Sequence, residues 1–139
     1  MEETHADKTS HNWIRIAGLV GGVGVALGAF GAHGLKDRIT PPLLEVYRTG
    51  VLYHLLHAVA LLGVAVAGRR LKLGHVTRWA FLGGVLVFSG TLYTLALTGI
   101  GWLGAITPVG GLAFIVGWAA LFVGGINQNF ATGGSRGTQ

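Results

Sequence analysis

Val51–Ala67 reads VLYHLLHAVALLGVAVA, an apolar run of 17 residues with no Lys, Arg, Asp or Glu in it. At 1.5 Å per residue a helix of that length crosses most of the ~30 Å hydrocarbon layer of a bilayer. Three more runs of the same kind follow from it in both directions: Ile16–Ala32, Trp79–Thr98 and Ala105–Val123. Only 11% of the 139 residues are charged, against roughly 25% in an ordinary soluble domain. Mean hydropathy is +0.60. The expected fold is therefore all-α: an integral membrane up-and-down four-helix bundle with helices over 13–34, 43–68, 76–98 and 105–124. A polar N-tail (1–12) and a C-tail rich in Gly, Ser, Thr and Asn (125–139) are expected to be flexible. Arg15 and the following apolar run imitate a signal peptide, but Glu2, Glu3 and Asp7 do not suit one, so the first helix is expected to stay uncleaved.

Four spans leave no room for a soluble catalytic module. The net charge of +5 would suggest nucleic acid on a soluble protein, but here the basic residues sit at span ends and no nucleic-acid partner is expected. The absence of cysteine removes disulfides and thiolate metal sites. Lys8, Arg15, Arg69, Arg70, Lys72, Arg78 and Arg136 fall on one side of the bundle, and Lys36, Arg38 and Arg48 on the other. That asymmetry predicts both termini in the cytoplasm. Trp13 and Trp79 are expected at the inner interface, Tyr47 and Trp102 at the outer. The basic loop with Arg69, Arg70 and Lys72 is expected to touch anionic lipid headgroups. Thr40, followed by Pro41-Pro42, should cap the second helix, because proline at a helix start forfeits no hydrogen bond.

Two spans carry stripes of tiny residues. In the first it is Ala17, Gly21, Gly24, Gly28 and Gly31; in the fourth it is Gly110, Ala113, Gly117, Ala120 and Gly124. Membrane helices gain from close backbone approach rather than from hiding leucine, so both stripes mark helix packing. The expectation is that they face each other, with a homo-oligomer contact as the competing reading. The glycines at Gly22 and Gly24 do not make a nucleotide loop, since Leu27 stands at the third glycine position and no strand precedes them.

Few polar residues lie inside the spans. His54 and His57, three apart, share a helix face. With His33, Tyr93, Thr94 and Thr107 they form the candidate polar site, expected in the outer half of the bundle. The leading expectation is structural: the imidazoles bond to Tyr93, Thr94, Thr107 or a backbone carbonyl. Intramembrane ionisable groups are also functional candidates, so a proton or small-molecule site, or b-type haem held by His33 with His54 or His57, stands as the alternative. No other cofactor and no metal is expected. No catalytic residue is assigned, because Ser89 has no Asp or Glu at its depth to complete a triad.

Four ordered stretches, Gly28-Ala29-Phe30-Gly31-Ala32-His33-Gly34-Leu35, Tyr53-His54-Leu55-Leu56-His57-Ala58, Phe88-Ser89-Gly90-Thr91-Leu92-Tyr93 and Gly104-Ala105-Ile106-Thr107-Pro108-Val109-Gly110-Gly111, resemble the small membrane proteins of the domain-of-unknown-function 423 class, whose animal relative is transmembrane protein 256. The resemblance runs from His11 to Phe122, with His33, His57, Ser89, Tyr93, Thr107 and Pro108 in the matching stretches. It implies a four-helix protein of the bacterial inner membrane and supplies no catalytic assignment. The expected role is a non-enzymatic structural or accessory component, alone in the lipid bilayer, as a homo-oligomer, or attached to a larger membrane complex.

Overall fold

Among the described residues, four helices are long and apolar enough to cross a membrane: span one (Thr9–Gly34), span two (Pro41–Ala67), span three (Gly74–Thr98) and span four (Gly101–Gly124). The structure, a computed structural model, describes residues 5–125, with side chains described over 9–125 except Arg69. The expected C-tail lies, from residue 126 onward, outside the described residues. The chain forms an all-α up-and-down bundle: Trp13 meets Trp79 edge-on at 5.0 Å, and Gly124 packs on Leu73, so both ends of the described chain gather with the loop between spans two and three.

Of the expected N-tail, residues 1–4 lie outside the described residues, and 5–12 belong to the first helix, His5–Ala29, rather than being loosely ordered. Extending a formed helix adds one hydrogen bond per residue without a new nucleation cost, and a 26-residue span is a ready nucleus. Span two begins at Pro41 with both prolines in its first turn. Thr40 occupies the cap position through its backbone only: its carbonyl accepts from the Leu44 N–H at 2.9 Å, and its hydroxyl makes no capping bond. Span three stops at Gly99, whose left-handed backbone (φ +70°) lets its N–H reach the Leu95 carbonyl at 2.8 Å. A short 3₁₀ turn, Gly101–Ala105, then leads into the last helix, Thr107–Gly124.

The two small-residue stripes do not face each other. Span one packs on span two, and span four on span three. A Cβ added at Gly31 would lie 2.6 Å from the Tyr47 ring, at Gly28 3.2 Å from Val51, and at Gly24 2.8 Å from Leu55. Ala17 is buried with Leu61 and Ala65. On span four, Gly110 lies against the backbone of Phe88, a Cβ at Gly117 would meet Phe81 at 2.5 Å, and one at Gly124 would meet Leu73 at 3.1 Å. Ala120 is buried and Ala113 half-buried. A stripe of glycines is a groove, and a groove is filled by a ridge. Two grooves set face to face would leave a void, whereas each groove here receives bulky side chains from its own hairpin partner. Gly18 and Gly22, on the other side of span one, have nothing within 4 Å.

Two helices contain wide π turns, Phe30–Gly34 ending span one and Val85–Ser89 in the middle of span three. The second presents Phe88 to Gly110. Thr91, just past it, donates its hydroxyl proton to the Val87 carbonyl at 2.7 Å, with the Phe88 carbonyl at 3.0 Å. Its oxygen then accepts from Thr107 of span four at 2.9 Å.

Candidate functional site

His54 and His57 diverge. Three residues at 100° each leave them about 60° apart around the helix, enough to send each to a different neighbour. His54 is buried between spans one and three. Its Nε2 lies 2.9 Å from the Val20 carbonyl, and its Nδ1 3.1 Å from the Tyr93 hydroxyl. A carbonyl only accepts, so Nε2 carries the proton and Nδ1 accepts from Tyr93. His57 is the reverse. Its Nδ1 donates to the Tyr53 carbonyl at 2.8 Å, and its Nε2 accepts from the Trp118 indole N–H at 3.2 Å. Both rings are thus satisfied as neutral imidazoles of opposite tautomer.

Aromatic packing fixes the second ring further. Phe114 stacks on His57 with centroids 3.5 Å apart and planes 11° off parallel, while Phe81 meets it edge-on at 5.3 Å. The edge-on contact suits the ring quadrupoles, while the Phe114 ring covers the imidazole face to face. Beside them Tyr53, Phe88, Phe114 and Trp118 line an apolar cleft of about 490 Å³.

The depth of the histidines differs from the expectation. Span two starts at Pro41, ten residues before its fully apolar run, so His54 stands 13 residues from either end, Pro41 or Ala67. That is about 20 Å from each end, the middle of the bundle. His57 is one turn closer to the end that holds the termini, where Phe81 and Trp118 meet it. The grouping near the outer face does not form. His33 is exposed at the far end of span one, and Thr94 is exposed and bonds the Gly90 carbonyl of its own helix at 2.8 Å. Of the six proposed residues, the structure joins His54 to Tyr93 and leaves Thr107 in a separate bond to Thr91. Among the described residues no three His, Cys, Asp or Glu side chains gather as a metal would require.

Three participants were not assigned from sequence. Tyr47, expected at the interface, is 1% exposed and donates to the Leu27 carbonyl at 2.9 Å, with its ring 5.0 Å from Tyr93. Trp118 lies six residues before the end of span four, close to the depth of an interfacial tryptophan, so its bond to His57 left no clear signal in the sequence. The Val20 carbonyl left no signal at all, since any helical carbonyl has a spare lone pair. Ser89 is fully buried in the π turn, and its hydroxyl has no partner.

At the termini end, Arg70 and Lys72 are exposed. Arg78, which the sequence offers only as one more positive charge, is instead 8% exposed, with its guanidinium carbon 5.5 Å from the centre of the Trp13 ring.

Residues 27–111 match the family model described as a protein of unknown function (DUF423). The chain is similar to the UPF0382 membrane protein YwdK of Bacillus subtilis, 48% identical over 73% of this chain and 85% of that protein. It is also similar to UPF0382 membrane protein SSP2132 of Staphylococcus saprophyticus (41%, over 72% and 84%) and to UPF0382 inner membrane protein YgdD of Escherichia coli K12 (41%, over 85% and 92%). No solved structure matches. With its four apolar spans and a match that takes in both histidines and the π turn of span three, this chain belongs to the DUF423 family of small multi-pass membrane proteins.

Proposed function

We propose that the protein is a non-enzymatic structural or accessory component of the bacterial cytoplasmic membrane, with both termini on the cytoplasmic side. The observation that carries this is the saturation of both intramembrane histidines. Each ring nitrogen of His54 and His57 is already used within the bundle. A titrating relay or an axial haem ligand needs a free nitrogen, and here either role would first break a bond already made within the bundle. The name of the Escherichia coli relative, an inner membrane protein, supports the location. The seven-to-three division of basic residues supports the sidedness. The open surface at Gly18 and Gly22 supports the accessory part of the reading, because small residues four apart let another membrane helix approach closely.

Two experiments test it. In proteoliposomes, His54→Phe and His57→Phe are expected to lower the unfolding temperature and to leave proton and ion leak at the level of empty vesicles. A pH-dependent flux in the wild type that both variants abolish would refute the structural reading. Purification from native membranes in mild detergent is expected to bring down a larger membrane protein in fixed ratio; a lone chain would refute the accessory part.

A further inference from the structure

The termini end of the bundle holds a polar pocket of about 270 Å³ beside Arg78, lined also by Lys72, His75, Ser10 and Gly68. Among the described residues that line it are two fixed positive charges and no carboxylate. The described acids, Asp37 and Glu45, belong to the opposite end of the bundle, and Glu45 is occupied by Arg48. Arg78 is more than nine-tenths buried, yet its Nε has no hydrogen-bond partner. A guanidinium near the end of a span ordinarily reaches for water or an acidic neighbour. This one is held in place. Trp13 lies 5.5 Å from its carbon, and Gly74, one turn earlier, adjoins Nη1.

From this we infer that the Arg78 pocket binds a phosphate group. A guanidinium whose face is covered by an indole still offers an edge of parallel N–H groups, which matches two oxygens of a phosphate. Lys72 adds a point charge from the loop, and His75 and Ser10 add donors. The helix beginning at Gly74 brings the positive end of its dipole to the same place. Gly68 completes the wall in a left-handed conformation (φ +55°) and passes so near Ser10 that a Cβ would lie 3.1 Å from its hydroxyl. The same chemistry is presented by an anionic lipid headgroup and by a water-soluble phosphate. This inference is independent of the structural role of the histidines, and neither result decides the other.

The test uses the full chain in nanodiscs of digalactosyldiacylglycerol, a lipid without phosphate. One arm titrates inorganic phosphate; the other replaces part of the lipid with phosphatidylglycerol and counts lipid retained on the protein by native mass spectrometry. Saturable binding in the first arm identifies a soluble phosphate, and retention in the second alone identifies a headgroup; either supports the site. Arg78→Gln is expected to weaken that binding about tenfold or more, as loss of a charge-assisted pair does. Lys72→Gln, on an exposed side chain that folding does not need, is expected to weaken it severalfold, while Arg70→Gln, exposed and outside the pocket, leaves it unchanged. No binding in either arm overturns the inference, as does equal weakening by Arg70→Gln and Lys72→Gln. Binding that tightens tenfold in the triple variant Glu2→Gln, Glu3→Gln, Asp7→Asn would make the acidic tail the resident anion and also overturn it.

Discussion

The middle of the bundle and its termini end treat polar side chains in opposite ways. In the middle, His54, His57, Tyr93 and Trp118 form closed circuits in which each donor meets an acceptor. At the termini end, Arg78 is as buried as the histidines, but its Nε is unanswered. The contrast separates two uses of polarity inside a membrane protein. A satisfied group fastens helices and is finished. An unsatisfied cation, costly to bury, is evidence for something that arrives from outside.

The scaffold beneath both regions gives the largest expected effect. Gly110→Leu drives a side chain into the backbone of Phe88, which cannot turn aside as a flexible side chain can. It should cost more than about 3 kcal/mol and abolish the folded bundle in detergent unfolding assays, whereas Gly18→Ala, with open space around it, should stay within about 0.5 kcal/mol. If the two variants melt together, the pairing of spans three and four is wrong.

Next in size is His54→Ala, which removes two interhelical bonds and leaves a cavity. About 2–3 kcal/mol is expected from thermal or denaturant unfolding. A double-mutant cycle of His54→Ala with Tyr93→Phe sharpens this, and a coupling of about 1 kcal/mol is expected if the two share a bond. Strict additivity would dissolve the closed circuit. Small effects belong to the unanswered groups. Ser89→Ala, and Arg78→Met measured without phosphate or anionic lipid, should change stability by less than about 1 kcal/mol or raise it, since neither native group repays its burial. A loss as large as that of His54→Ala would erase the contrast between the two regions.

The spans themselves were legible because hydropathy over some twenty residues is a collective signal that no single position can spoil. The seams were half legible. Gly24, Gly28 and Gly31 announce a groove, but the identity of the ridge lies in Leu55, Val51 and Tyr47, which look like any other apolar positions in span two. Depth was misjudged for His54 because Leu43–Gly50, with Glu45 and Arg48 exposed, reads as an interfacial stretch although the helix already runs through it. Tyr47 lies in that stretch and points inward. Arg78 counts as one charge among seven when sidedness is scored, and burial is a property of neighbours that a charge count does not contain.

Nitrogen-15 NMR of the two imidazoles in lipid bilayers, with His54 and His57 resolved by single replacement, tests the closed circuits most directly. A protonated Nε2 on His54 and a protonated Nδ1 on His57, each a single unexchanging tautomer, is the predicted result. Two rings of the same tautomer, or either ring in exchange between both forms, would contradict it.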